Sequence, residues 1–218
     1  MREAFHEQLE SIFADLASIC RRVEVSVLQA TRALLTGDAT VAEEVISGDV
    51  EIDRDRERVE DAAFLLLSLQ APVASDLRTV VAALRMAGDL ERMGDLSVHV
   101  AKIARLRVPN VAVPVPLRPV IERMAEVAEE MVHRVADVIA ERDAVAAREL
   151  THADEEMDEL RRSTFVEMLS ADWEHGVEAA VDVALLGRYY ERIADHAVSV
   201  ANRVVFVVTG ENPRALRV

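Results

Sequence analysis

One cysteine, Cys20, stands among 218 residues, so no internal disulfide forms and the fold cannot depend on one. Cys20 sits among Leu16, Ile19 and Val23, the company of a small apolar core residue, and its solitude fits a reducing compartment. Aromatic residues make up only 4% of the chain although 51% is hydrophobic, which points to Ala, Val and Leu packed between helices. Seven glycines and six prolines are few for this length. Four of the prolines, Pro109, Pro114, Pro116 and Pro119, crowd into one stretch, so long uninterrupted elements fill the rest. Positive charge is also short: 25 basic residues face 40 acidic ones, a net charge of -15. Such a field repels phosphate backbones and anionic lipid, which argues against a nucleic-acid binder. The opening MREAFHEQLE has no apolar signal core. The densest apolar runs, Ala62 to Leu69 and Val204 to Val208, are too short to cross a bilayer. A cytoplasmic protein with no direct membrane insertion is expected.

What is present is helical periodicity. Apolar residues recur through Phe5, Leu9, Ile12, Leu16, Ile19, Val23, Val27 and Leu34, after which Gly37-Asp38 supplies a stop and then an N-cap. A second helix is expected over about 39–69, ended by Gln70-Ala71-Pro72, and a third over about 75–105. The segment RVPNVAVPVPLRP cannot continue a helix and favours an extended linker. The pattern restarts through Val120, Met124, Val127, Met131, Val135 and Val138 and stops near Arg142-Asp143. It runs again to Ser170, breaks over 171–176, and ends with a helix to about Thr209. The expectation is an all-α fold of six helices, two tandem pseudo-symmetric three-helix bundles spanning residues 1–107 and 118–218, joined by a Pro-rich linker at 108–117.

The second set repeats the first. A shift of 105 residues carries Asp38 onto Asp143, Asp49 onto Asp154, Glu51 onto Glu156, Asp53 onto Asp158 and Arg56 onto Arg161; past the next turn a shift of 100 carries Glu91-Arg92-Met93-Gly94-Asp95 onto Glu191-Arg192-Ile193-Ala194-Asp195. The offset changes between helices, where a shorter turn costs least.

Four acidic pairs lie on the apolar sides of their helical wheels or at the flank: Asp49/Asp53, Glu91/Asp95, Asp154/Asp158 and Glu191/Asp195. Each is spaced i, i+4, so its carboxylates are neighbours one turn apart. In an antiparallel hairpin, residues equidistant from the turn lie side by side. The first two pairs are centred on Pro72 and the last two on the 172–176 turn, so four carboxylates should converge in each half. Like charges on a partly apolar face need a proton, a basic partner or a metal. Arg56 and Arg161 are partial answers, and salt bridges to Arg92 and Arg192 are the bland alternative. All-carboxylate ligation suits a hard cation: iron, Mn, Mg or Ca. No organic cofactor is indicated.

The segments PVASDLRTVVAALRMAGDLERMGDLSVHVAKIA and ALLGRYYERIADHAVSVANRVVFVVTGE resemble the central and C-terminal stretches of PhoU proteins, and the similarity covers nearly the whole chain. The resemblance implies a regulator of phosphate uptake and signalling. Such a protein acts as an adaptor between the ATPase subunit of a phosphate ABC transporter and a sensor histidine kinase, and represses phosphate-starvation genes when phosphate is plentiful. It also leans toward a homodimer. PhoU proteins carry E(D)xxxD motifs, some of which bind metal clusters, and those motifs match the eight acids above. The first half departs from the family in having Asp95-Leu96-Ser97 where the second has Asp195-His196-Ala197, and Ser199 stands where Asn is usual.

Two enzyme readings compete. The pairs Glu130/His133 and Glu149/His152 have the Glu-x-x-His spacing of a di-iron oxidase, but the wheel puts Glu130, Glu149 and His152 on wet faces. A metal-dependent phosphatase would draw on the clustered carboxylates, yet no arginine fork or Gly-rich loop grips a phosphate, and a non-enzyme is expected. His196 reads as exposed on a polar strip, Trp173 as a packing anchor at a hairpin end, and Tyr189 and Tyr190 as boundary and core residues. Asp76 complements the dipole at the start of the third helix.

Overall fold

The computed structural model describes residues 2–150 and 154–211. Among these there is no strand, and seven α-helices with one 3-10 turn replace the six helices expected. They are α1 (Arg2–Thr36), α2 (Ala39–Gln70), α3 (Ser75–Arg107), the 3-10 turn Val115–Leu117, α4 (Arg118–Glu141), α5 (Ala144–Glu149), α6 (Asp154–Met168) and α7 (Gly176–Thr209). The stretch read as one fifth helix thus carries two, α5 and α6.

The repeat is visible in how helices begin. Asp38 accepts hydrogen bonds from the Thr40 and Val41 amides at 2.9 and 3.1 Å. Asp143, its counterpart, accepts from Val145 and Ala146 at 2.8 and 3.1 Å. Each N-cap satisfies donors that a helix start leaves open. The residues before them, Gly37 and Arg142, both take positive φ, +67° and +51°. Gly37 does so freely. Arg142 is held there by Glu10 at 2.9 Å and by the Phe13 ring 4.4 Å beneath its guanidinium.

Four long helices make the centre. α1 packs on α3 and α4, and α7 packs on α3 and α4, with α2 flanking the first half and α5 and α6 the second. Both cross-half pairings are antiparallel. Along α3 and α7, Arg78 meets Phe206 and the Val207 carbonyl, Asp89 meets His196 and Arg203, His99 stacks on Tyr189, and Arg107 meets Asp182 and Glu178. Along α1 and α4, Arg142 reaches Glu10, the Cys20 thiol faces the Val132 carbonyl at 3.3 Å, and His133 reaches Glu24. Two like helices crossing antiparallel from each half is the relation a twofold axis imposes.

Leu16, Ile19, Val23, Met86, Leu90, Met93, Met124, Val132, Leu186 and Ile193 are all inaccessible to solvent. Cys20 is among them, and burial pushes its thiol well above the usual range, so it is inert packing. Tyr190 is buried with its hydroxyl 2.8 Å from Thr31 Oγ1, while Tyr189 sits at the boundary.

The apolar arcs of the third and last helices are consumed by the α3–α7 packing within one chain. Asp89 lies in that seam, facing His196 and Arg203. His196 too is only 14% exposed, not the surface residue expected, with Nδ1 2.9 Å from Asp89 Oδ1. The proline-rich segment is less open than a linker. Ala112, Val113 and Leu117 are buried, and its backbone passes the α1–α2 turn close enough that a Cβ on Gly37 would stand 3.5 Å from the Asn110 carbonyl.

Candidate functional site

In the first half the expected convergence occurs. Asp49 and Asp53 on α2 and Glu91 and Asp95 on α3 are all partly shielded from water and feel one another's charge. Asp49 lies across Gly94, the residue between the two acids of α3: a Cβ at 94 would stand 3.2 Å from Asp49 Oδ1 and 3.1 Å from Ile52 Cδ1. Glycine here lets α2 approach α3 closely enough to bring the pairs level. Burial, and then the charges of Asp95, Asp53 and Glu91, push the Asp49 carboxyl up to about 6 against a weak opposing pull from Lys102. Glu91 is raised as well, by burial and then by Asp95.

Compensation in this half is thin. Arg92 lies 3.0 Å from Asp95 and 3.6 Å from Glu91 but is itself 63% exposed. Arg56, expected as a partial answer, spends its guanidinium on Glu60 at 2.5 Å, and its buried Nε has no acceptor.

The second half is built differently. Glu191 is buried, and Arg161 at 3.1 Å and Arg188 at 2.6 Å take its two oxygens. Asp158, read from the wheel as facing the apolar side, is exposed, and so is Asp195. α6 is a short helix that packs on α7 and α4, and Asp158 lies on an edge that meets water. Asp154 opens α6, and its side chain lies outside the described residues.

As donors for a metal the first-half acids fit in chemistry, four carboxylates with incomplete positive compensation. Among the described residues, however, no three acidic, histidine or cysteine side chains are drawn close enough together to hold one ion as placed. The described second-half acids do not fit, because Glu191, the one among them that is buried, already has two cationic partners.

The di-iron pairing finds no pocket: Glu130 and Glu149 are exposed and engaged by Arg123 and Arg134, and His133 pairs with Glu24 on the surface. His152 lies outside the described residues. Sequence reasoning missed two buried acids. Asp55, 5% exposed, is closed by Arg22 at 2.8 Å and by Arg58, and Asp182, also 5% exposed, by Arg107 at 2.5 Å. Asp182 could have been found as an acid between Val181 and Val183 in an apolar run; Asp55 carried no such signal. Trp173 is half-buried, its Nε1 donating to the Gly176 carbonyl at 2.9 Å, as expected of a hairpin anchor.

The family described as PhoU domain matches residues 16–104 and again 121–204. The chain belongs to the PhoU family. It is 45% identical over 213 residues to phosphate-specific transport system accessory protein PhoU homolog 2 of Mycobacterium tuberculosis, covering 98% of this chain and all of that one. To PhoU homolog 1 of Mycobacterium leprae it is 44% identical, covering 98% and 96%. Among solved structures, PhoU from Pseudomonas aeruginosa superposes with a TM-score of 0.87 at 26% identity over 95% of this chain and 100% of that one. The phosphate transport system regulatory protein PhoU from Streptococcus pneumoniae gives 0.86 at 23% identity, covering 95% and 98%, a likeness of fold. This PhoU-family chain is therefore an all-helical protein with a role in regulating phosphate transport. Among the described residues no helix is long and apolar enough to cross a membrane.

Proposed function

We propose that this protein is a cytoplasmic negative regulator of the phosphate-starvation response. It acts as an adaptor that binds the ATPase subunit of a phosphate ABC transporter and the sensor histidine kinase controlling phosphate genes. The observation that carries the reading is the end-to-end identity to phosphate-specific transport system accessory proteins. The acidic net charge supports it by disfavouring direct DNA contact. A homodimer is part of the proposal, as is the absence of catalysis; among the described residues no nucleophile stands beside a base in a phosphate-gripping pocket, which supports the reading.

Asp49, Asp53, Glu91 and Asp95 are the place for a hard cation such as iron, manganese, magnesium or calcium. It would neutralise a like-charged group held on a partly apolar face. The test is to mix purified protein with the kinase's cytoplasmic portion and with the ATPase subunit and measure binding, alongside hydrolysis of common phosphoesters. Binding without turnover is expected. Turnover that is lost on Asp53→Asn would establish a metallophosphatase instead.

A further inference from the structure

We propose that the two halves have diverged in what answers their buried acidic charge. The first keeps a carboxylate group open to a hard cation, whereas in the second Glu191 is a structural anion clasped by Arg161 and Arg188, and no cation enters. The first part rests on the cation reading given above; the second stands without it.

The difference traces to two positions related by the repeat. Residue 188 is Arg, and its counterpart 88 is Gly. Arg188 sits one turn before Glu191 and reaches its Oε2 at 2.6 Å; Gly88 offers Glu91 nothing. Residue 165 is Phe, and its counterpart 60 is Glu. Phe165 stacks beside Arg161 at 5.5 Å and leaves that guanidinium for Glu191 Oε1 at 3.1 Å, whereas Glu60 draws Arg56 away from Glu91. The outcome is a buried glutamate with both oxygens engaged in the second half, and in the first a buried-edge group of four carboxylates whose ion pairs are to an exposed Arg92, with Arg56 and Lys102 acting on it only through space.

A cation approaching Glu191 would meet two guanidiniums, and of the other described carboxylates it would draw on, Asp158 and Asp195 are exposed, although burial and the Glu191 charge raise the Asp195 carboxyl. A carboxylate paired on both oxygens inside a helical packing is a fold element, since removing its charge leaves two arginines uncompensated. The first half is open to conversion: nothing stands within 4 Å of a Cβ at residue 88, so a side chain can start there without a clash at its root.

The experiment takes full-length protein purified without a metal-binding tag, stripped with chelator, then equilibrated with Mn²⁺ and analysed for bound metal. In parallel, thermal unfolding is followed in chelator. Gly88→Arg should lower Mn²⁺ affinity at least about tenfold, and Asp158→Asn with Asp195→Asn should leave bound Mn²⁺ unchanged. In chelator, Glu191→Gln should lower the midpoint by roughly 5 °C or more, while Glu91→Gln should hold or raise it. Halving of bound Mn²⁺ by the second-half pair, or an unchanged midpoint in Glu191→Gln, would overturn the assignment of Glu191. A wild-type protein that takes up no Mn²⁺ overturns the first part together with the cation reading, and the thermal contrast still decides the second.

Discussion

His196 Nδ1 lies 2.9 Å from Asp89 Oδ1, and Arg203 closes on the same carboxylate from two turns further along α7. These three side chains pin the second half to the first across a seam that also carries the Arg107–Asp182 ion pair at its far end, with His99 stacked on Tyr189 in between at 5.2 Å between ring centres. Asp89 is only 14% exposed, so the cost of removing it lies in two basic groups left facing each other with little water.

Asp89→Ala is therefore expected to destabilise the chain by about 2–3 kcal/mol. That corresponds to roughly 5–10 °C in the thermal midpoint, measured by circular dichroism. A loss within 1 °C would show that the apolar packing of α3 on α7 suffices alone.

Gly94 governs how closely α2 lies on α3. Gly94→Val would drive branched methyls into Ile52 and Asp49, and a loss of about 1–3 kcal/mol is expected in urea unfolding. Gly94→Ala should be close to neutral. Its contacts at 3.1 and 3.2 Å are with side-chain ends, the helix gains from losing glycine, and the second half already has Ala194 at this place.

The metal-free protein should lose stability as pH rises from about 4 to about 6.5. Asp49 has its carboxyl raised from 3.8 to about 6 in the folded state. The fold therefore holds that proton more tightly than the unfolded chain does, and its advantage is complete below the unfolded value and gone above the folded one. Allowing for solvent screening, the change amounts to about 1 kcal/mol. Asp49→Asn should flatten this part of the profile, read from unfolding midpoints at several pH values in chelator. An identical profile in wild type and Asp49→Asn would show that burial at Gly94 does not perturb the group.

Much of the architecture was readable from periodicity, because each break has a local chemical cause: Gly37-Asp38, Pro72, the proline cluster and Asp143 all act on the backbone where they stand. The first-half acids were readable too, since equal distance from Pro72 is enough to bring them level. What a helical wheel cannot supply is which of its faces meets another helix. Asp89 and His196 look solvated on their own helices and are covered only because α3 and α7 cross. Asp55 is buried by Arg22 from α1, a residue 33 positions earlier in the chain. Conversely Phe64 and Phe165 are large apolar residues at helical spacing, yet they are 57% and 36% exposed. The difference between halves was present in the sequence as Gly88 against Arg188, but it means something only once Arg188 is seen to reach Glu191.

The central claim is regulatory, and phosphate-uptake gene expression in high phosphate measures it most directly. A strain lacking this gene and any second gene of the same family should express those genes as if starved, and restoring this gene alone should silence them. Uptake genes that stay silent in phosphate-rich medium after all copies are removed would contradict the regulatory role.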